Sequence, residues 1–85
     1  MKYFVYIIEC RDGTFYTGIT NHLQRRLDQH NSGKGAKYTR GRFPVKLCYV
    51  EEGEGRAWAT SREREIKRLS RSQKELLIQQ GGRGQ

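Results

Sequence analysis

Tyr3-Phe4-Val5-Tyr6-Ile7-Ile8, followed after Arg11-Asp12-Gly13-Thr14 by Phe15-Tyr16-Thr17-Gly18-Ile19, decides the fold. Both outer runs are rich in β-branched and aromatic residues, which favour strands. Asp12-Gly13 between them supplies the residue types a tight hairpin needs. Residues 3 to 19 therefore read as an antiparallel hairpin that carries Tyr6 on its first strand and Tyr16 on its second. If both face the same side, two phenolic hydroxyls meet on one sheet surface. Taken alone, such a pair is more often packing than chemistry.

Beyond the hairpin a helix is expected from about Asn21 to His30. Leu23 and Leu27, one turn apart, give it an apolar edge. Thr20 or Asn21 is available to cap its start. Asn31-Ser32-Gly33-Lys34-Gly35 ends it and opens a basic loop reaching Arg42. The glycines there lack the spacing of a phosphate-cradling motif and read as a helix end and a loop. Pro44 introduces a third strand, Val45 to Val50, with Val45, Leu47 and Tyr49 alternating against Lys46 and Cys48.

Arg56 to Leu69 has helical spacing, with Trp58, Arg62, Ile66 and Leu69 on one side and Ala59 and Glu63 at its edge. Ser72-Gln73-Lys74-Glu75 matches a capping box and predicts a short last helix through Leu76, Leu77 and Ile78. The expectation is one α+β domain over residues 1–80, in the order ββαβαα, with a flexible tail at residues 81–85.

A chain of 85 residues with 34% hydrophobic content has a thin core, since a domain this small buries only about 60% of its unfolded surface. Its three Phe, five Tyr and one Trp should supply much of the buried area. Seventeen Lys and Arg against nine Asp and Glu give a net charge of +8, a field that favours polyanions. Arg25 to Lys46 holds seven basic residues against the single acid Asp28, and a second basic run covers Arg62 to Lys74. The acids Glu51, Glu52 and Glu54 cluster between the two runs.

Cys10 and Cys48 have no partner at metal-finger spacing, and His22 and His30 have no carboxylate or thiol at ligand spacing. A structural zinc is therefore not expected. The cysteines read as small half-buried hydrophobes in a reduced compartment. No apolar run is long enough for a signal peptide or a membrane span, so a cytoplasmic protein with no membrane partner is expected.

Several residues fall at offsets that could build a site. Arg26 and His30 lie four apart on the first helix and share a flank. Glu63 stands at the border of the buried face of the second helix, where a carboxylate can sit in a cleft. Its plainer reading is an ion pair with Lys67 four residues on, and that of Arg26 is a solvated charge.

Together with Phe4-Val5-Tyr6-Ile7-Ile8, Tyr16-Thr17-Gly18 ten positions after Tyr6, Arg25-Arg26-Leu27, His30 and the run Asn31 to Thr39, these residues resemble the GIY-YIG nuclease superfamily. The stretch Pro44-Val45 and the helix bearing Glu63 are similar to its small stand-alone bacterial members. The resemblance spans residues 3 to 78. It implies a three-stranded antiparallel sheet flanked by helices, with catalytic Tyr6, Tyr16, Arg26 and His30 and a metal-binding Glu63. Glu65 is the alternative acid. The first glycine of the family's name motif is Phe4 here and the middle residue of the second is Thr17, both compatible with strands.

What the resemblance implies is a metal-dependent endonuclease that hydrolyses phosphodiester bonds of DNA, on branched or flapped structures in repair or recombination. A single Mg²⁺ or Mn²⁺ would serve it, and RNA is left open as a substrate. Arg25, Lys34, Lys37, Arg40 and Arg42 are the expected nucleic-acid contacts, and a protein partner would supply targeting that the basic surface does not. Two other classes stand beside this one. A non-catalytic nucleic-acid-binding module predicts salt-dependent binding without product, and a protein-binding scaffold predicts weak nucleic-acid affinity even at low salt.

Overall fold

The hairpin forms as the sequence predicts. β1 (Lys2–Glu9) and β2 (Phe15–Thr20) pair antiparallel, with Tyr6 opposite Gly18 and Ile8 opposite Tyr16. Asp12 holds the turn, its Oδ1 accepting the Thr14 N–H at 3.2 Å and the Thr14 hydroxyl at 2.7 Å. Gly13 takes a φ of 86° there, a conformation that side chains disfavour.

The computed structural model describes residues 1–81. It continues with α1 (Leu23–Asn31), a 3₁₀ turn η1 (Lys37–Thr39), β3 (Lys46–Glu54), α2 (Arg56–Lys67) and α3 (Arg71–Gly81). The sheet order is β2-β1-β3 with both pairings antiparallel, so β1 is central. This is the α+β architecture expected, in the expected order.

Alternation along β1 sends side chains to two covered faces. Val5 and Ile7 pack with Tyr49, Ala59 and Ile66 into the core beneath α2 and α3, joined by Phe15, Ile19, Trp58, Leu77 and Ile78. Tyr6 and Ile8 point the other way and are also fully buried. His30 of α1 and Thr39 of η1 cover that face and are themselves fully buried. Burial on both sides explains why β1 reads as an unbroken apolar run rather than an alternating one.

The departures from expectation have local causes. β3 runs past Val50 to Glu54 because each acid of the cluster finds a partner. Glu52 pairs with Lys2 at 3.1 Å and Glu54 with the α-amino group at 3.0 Å. Glu51 receives the Arg62 guanidinium at 2.7 and 2.8 Å and the Tyr49 hydroxyl. Burial pushes the Glu51 carboxyl up, but the hydrogen bonds from Arg62 and Tyr49 outweigh it and hold the group below the usual range. The acids are thus spent on stitching β3 to β1 and α2.

A register shift opposite Ile7 and Ile8 leaves Cys48 as the extra residue of a bulge, which interrupts the alternation expected for β3. α1 begins at Leu23 rather than Asn21 and has no side-chain cap, although Thr20 Oγ1 accepts the His22 N–H at 3.1 Å.

The capping box of α3 is Ser70 with Gln73, not Ser72 with Glu75. Gln73 N–H reaches Ser70 Oγ at 3.2 Å, and Ser70 N–H reaches Gln73 Oε1 at 2.9 Å. Starting α3 this early ends α2 at Lys67 instead of Leu69. Gly81 is the last residue of α3, and the rest of the expected tail, 82–85, lies outside the described residues. Both cysteines are free thiols, and no helix among the described residues is long and apolar enough to cross a membrane.

Candidate active site

Tyr6 and Tyr16 are diagonal neighbours on one face of the hairpin, with Gly18 opposite Tyr6. A Cβ at Gly18 would stand 2.5 Å from Tyr6 Oη and 3.1 Å from Tyr16 Cε2. Glycine is therefore required here by space: both phenols lean over bare backbone.

The two rings meet His30. Its imidazole stands edge-on to both, with centroids 5.9 Å from Tyr6 and 5.5 Å from Tyr16. Tyr6 Oη lies 2.8 Å from His30 Nε2, and His30 Nδ1 lies 2.8 Å from Thr39 Oγ1. The Thr39 hydroxyl donates to the Ala36 carbonyl at 2.9 Å. A Cβ at Gly35 would fall 2.2 Å from His30 Nδ1, so the loop backbone packs directly against the ring.

The same loop is anchored outward. Tyr38 stacks on Tyr16 at 5.8 Å between centroids, and the Arg42 guanidinium lies 4.4 Å over the Tyr38 ring. Arg42 also bonds Asp12 at 3.0 Å and the Tyr38 carbonyl at 2.6 Å. It ties the loop to the hairpin turn and is not an uncommitted cation. Arg25, Lys34, Lys37 and Arg40, the other expected nucleic-acid contacts, are exposed.

Arg26 is half-buried and donates to Gln29 Oε1 at 2.9 Å. Burial raises the Tyr6 phenol to about 12, with Tyr16 and Glu63 adding to the rise and Arg26 opposing it. Burial also lowers His30 to about 4, and the Arg26 charge lowers it further. Both groups are neutral at pH 7 as a result.

That depression of His30 has a consequence for stability. The unfolded chain protonates a histidine near pH 6.5, whereas the folded one protonates His30 only near 4. Between those values the unfolded state binds more protons, so stability is complete above about 6.5 and falls as pH drops toward 4. A loss on the order of 3 kcal/mol is expected from this group. Urea unfolding across that range measures it, and a His30→Gln variant should lack this part of the slope.

Glu63 reaches the site from α2. Its side chain is 19% exposed and pairs with Lys67 at 3.4 Å, so the plain i,i+4 reading is present too. The pair is worth only a few tenths of a kcal/mol, and the carboxylate remains close enough to act on Tyr6. Glu65 is 63% exposed and committed to Arg62 at 3.1 Å, whereas the Glu63 charge acts on Tyr6.

No cluster of three or more His, Cys, Asp or Glu suited to a metal occurs among the described residues. A zinc cage does not fit this donor set. One carboxylate beside a basic surface does suit a hard divalent cation, which takes its remaining ligands from water and phosphate.

Thr39, Gly35, Gly18 and Tyr38 were not singled out by sequence for this site. All four stand inside the quoted motifs. The close approach of Gly35 to His30 leaves no mark on spacing.

Residues 2–76 match the GIY-YIG catalytic domain. The chain belongs to the GIY-YIG family. Its relatives include a UPF0213 protein of Bacillus cereus, 51% identical over 80 residues that cover 94% of this chain and 83% of the relative. A UPF0213 protein of Halobacterium salinarum is 57% identical over 74 residues, covering 87% and 96%. The solution structure of a UPF0213 protein from Bacillus halodurans superposes with a TM-score of 0.64 at 47% identity, covering 98% of this chain and 88% of that one. GIY-YIG domains are nuclease catalytic domains that bind nucleic acid and generally use divalent metal ions.

Proposed function

We propose that the chain is a metal-dependent endonuclease that hydrolyses phosphodiester bonds of DNA, with Tyr6, Tyr16, Arg26 and His30 catalytic and Glu63 holding one Mg²⁺ or Mn²⁺. The observation that carries this reading is that both phenols lean over Gly18 while the imidazole meets both rings and the half-buried Arg26 guanidinium acts on Tyr6. Packing needs two aromatic rings there; it does not need a buried histidine hydrogen-bonded to one of them beside an arginine.

When bound, the cation neutralises charge developing on the phosphate oxygens. The chain's own groups do the rest. Arg26 presents a planar fork to the scissile phosphate, which lysine matches poorly. Tyr6 is favoured over Tyr16 as the group that takes a proton from the attacking water, because its Oη has a nitrogen acceptor at 2.8 Å for its own. Tyr6 is buried here, so the reading requires Arg26 or Tyr16 to shift when substrate enters. Tyr16, half-buried and stacked on Tyr38, positions substrate at the mouth. Arg25, Lys34, Lys37 and Arg40 carry the DNA backbone.

The test is a gel of supercoiled plasmid incubated with purified protein, with and without Mg²⁺ or Mn²⁺. Nicked or linear product is expected only with the cation. Binding that weakens steeply with salt but yields no product would instead support a non-catalytic module on the same scaffold. Labelled duplex, flap, fork and single-stranded substrates then rank the preferred structure, including the branched forms that repair and recombination generate.

A further inference from the structure

We propose that Thr39 is a positioning residue that fixes the tautomer of His30, so that Tyr6 donates its hydrogen inward and turns an acceptor lone pair toward Arg26 and the substrate. The functional consequence rests on the nuclease reading above; the tautomer itself does not.

Three short contacts in series allow one arrangement of hydrogens. Thr39 Oγ1 and the Ala36 carbonyl oxygen are 2.9 Å apart. Two oxygens at that distance repel unless a hydrogen lies between them, and a carbonyl has none to give, so the hydroxyl hydrogen is on that line. Threonine has only one such hydrogen. Its 2.8 Å contact with His30 Nδ1 must then be supplied from the ring, as Nδ1–H. A neutral imidazole so protonated has a bare Nε2. The 2.8 Å contact between Nε2 and Tyr6 Oη is therefore supplied by the phenol.

Neutrality of the ring is supported by its full burial and by the Arg26 charge nearby. Order in the series comes from the loop. Gly35 lies against the ring so closely that a Cβ would meet His30 Cα at 2.8 Å. The Thr39 N–H also donates to the Ala36 carbonyl at 2.9 Å, which pins η1 to the same oxygen.

The polarity matters to any chemistry at Tyr6. With Nε2 bare, the phenol oxygen faces the site as an acceptor, able to receive a hydrogen bond from Arg26, or a proton from water as its own proton passes to Nε2. With the opposite tautomer His30 would donate to Tyr6, and the phenol hydrogen would point at the guanidinium, donor against donor. His30 could not then accept the phenol's proton. Thr39 touches neither substrate nor metal; it acts through His30.

The experiment is long-range ¹H–¹⁵N NMR of the His30 ring at neutral pH in wild type, Thr39→Ser and Thr39→Val. Wild type and the serine variant are expected to show a protonated Nδ1 and a bare Nε2. The valine variant, which has the same shape without the hydroxyl, should show Nε2–H. Cleavage should fall on the order of 10²-fold with valine, as when a histidine loses the partner that sets its tautomer, and serine should restore it.

An Nε2–H ring in wild type overturns the proposal, as does a valine variant that keeps Nδ1–H alone. If the valine chain fails to fold, the wild-type spectrum still decides. A wild-type protein with the expected tautomer and no cleavage would sink the nuclease reading and leave the role of Thr39 intact.

Discussion

Replacing Glu63 with alanine is expected to lower metal-dependent cleavage about 10³-fold while leaving DNA affinity essentially unchanged. A hard cation on the phosphate contributes several kcal/mol of charge stabilisation in the transition state, and each 1.36 kcal/mol is tenfold in rate. Glu65 and Glu51 both serve Arg62, whereas Glu63 is paired with Lys67 alone among the described residues.

Binding should survive because the mutation removes a negative charge from a basic surface and releases Lys67. The fold should survive too, with only the few tenths of a kcal/mol of an i,i+4 pair lost. Cleavage assays with titrated Mg²⁺, run beside filter binding, separate the two effects. Glu65→Ala is the matched control and is expected to cut normally. If Glu63→Ala retains metal-dependent activity, the assignment of the metal site fails.

The second large effect is expected from Gly35→Ala. Gly35 is buried, and the added methyl would lie 2.2 Å from His30 Nδ1 and 2.8 Å from its Cα. The first contact could be relieved by turning the ring, at the cost of its bonds to Tyr6 and Thr39. The second is with backbone and cannot be relieved without shifting α1 or the loop. Overpacking of this kind costs about 1–3 kcal/mol, and the buried hydrogen bonds add to it. A destabilisation of about 3 kcal/mol is expected, or a fall of at least about 10 °C in Tm for a domain this size. Calorimetry measures the stability, and a cleavage assay well below the lowered Tm should show activity lost even where the protein is folded. Lys34→Ala, one residue away on exposed chain, should leave the Tm unchanged. A Gly35→Ala protein of wild-type Tm would mean that the loop does not hold His30 as described.

These two residues mark different kinds of legibility. Glu63 could be picked from sequence because helical spacing put it at the edge of a buried face, and Glu65, the alternative, pairs with Arg62 in the fold. Gly35 could not be picked that way. A glycine in a loop looks the same whether it serves a turn, a helix end or a close approach, and only the position of the ring across from it tells them apart. The capping box shows the same limit over a shorter distance. Ser70 and Ser72 offer equivalent side chains, and the choice between them depends on where α2 stops.

Features that depend on local pattern were legible in the chain alone. Apolar runs around Asp12-Gly13 dictated the hairpin, helical spacing dictated α1 and α2, and a capping pattern pointed to α3. The basic excess pointed to a polyanion. Tyr6, Tyr16, Arg26, His30 and Glu63 were nominated through motif resemblance, with the tyrosine pair alone no better than packing. Only the tertiary structure decided that His30 is fully buried, that Thr39 and Gly35 hold it, and that Arg42 is tied to Asp12 and Tyr38. The reason is physical. A hydrogen bond or a clash between residues nine or twenty-four positions apart depends on how the chain returns on itself, and neither composition nor periodicity encodes that distance.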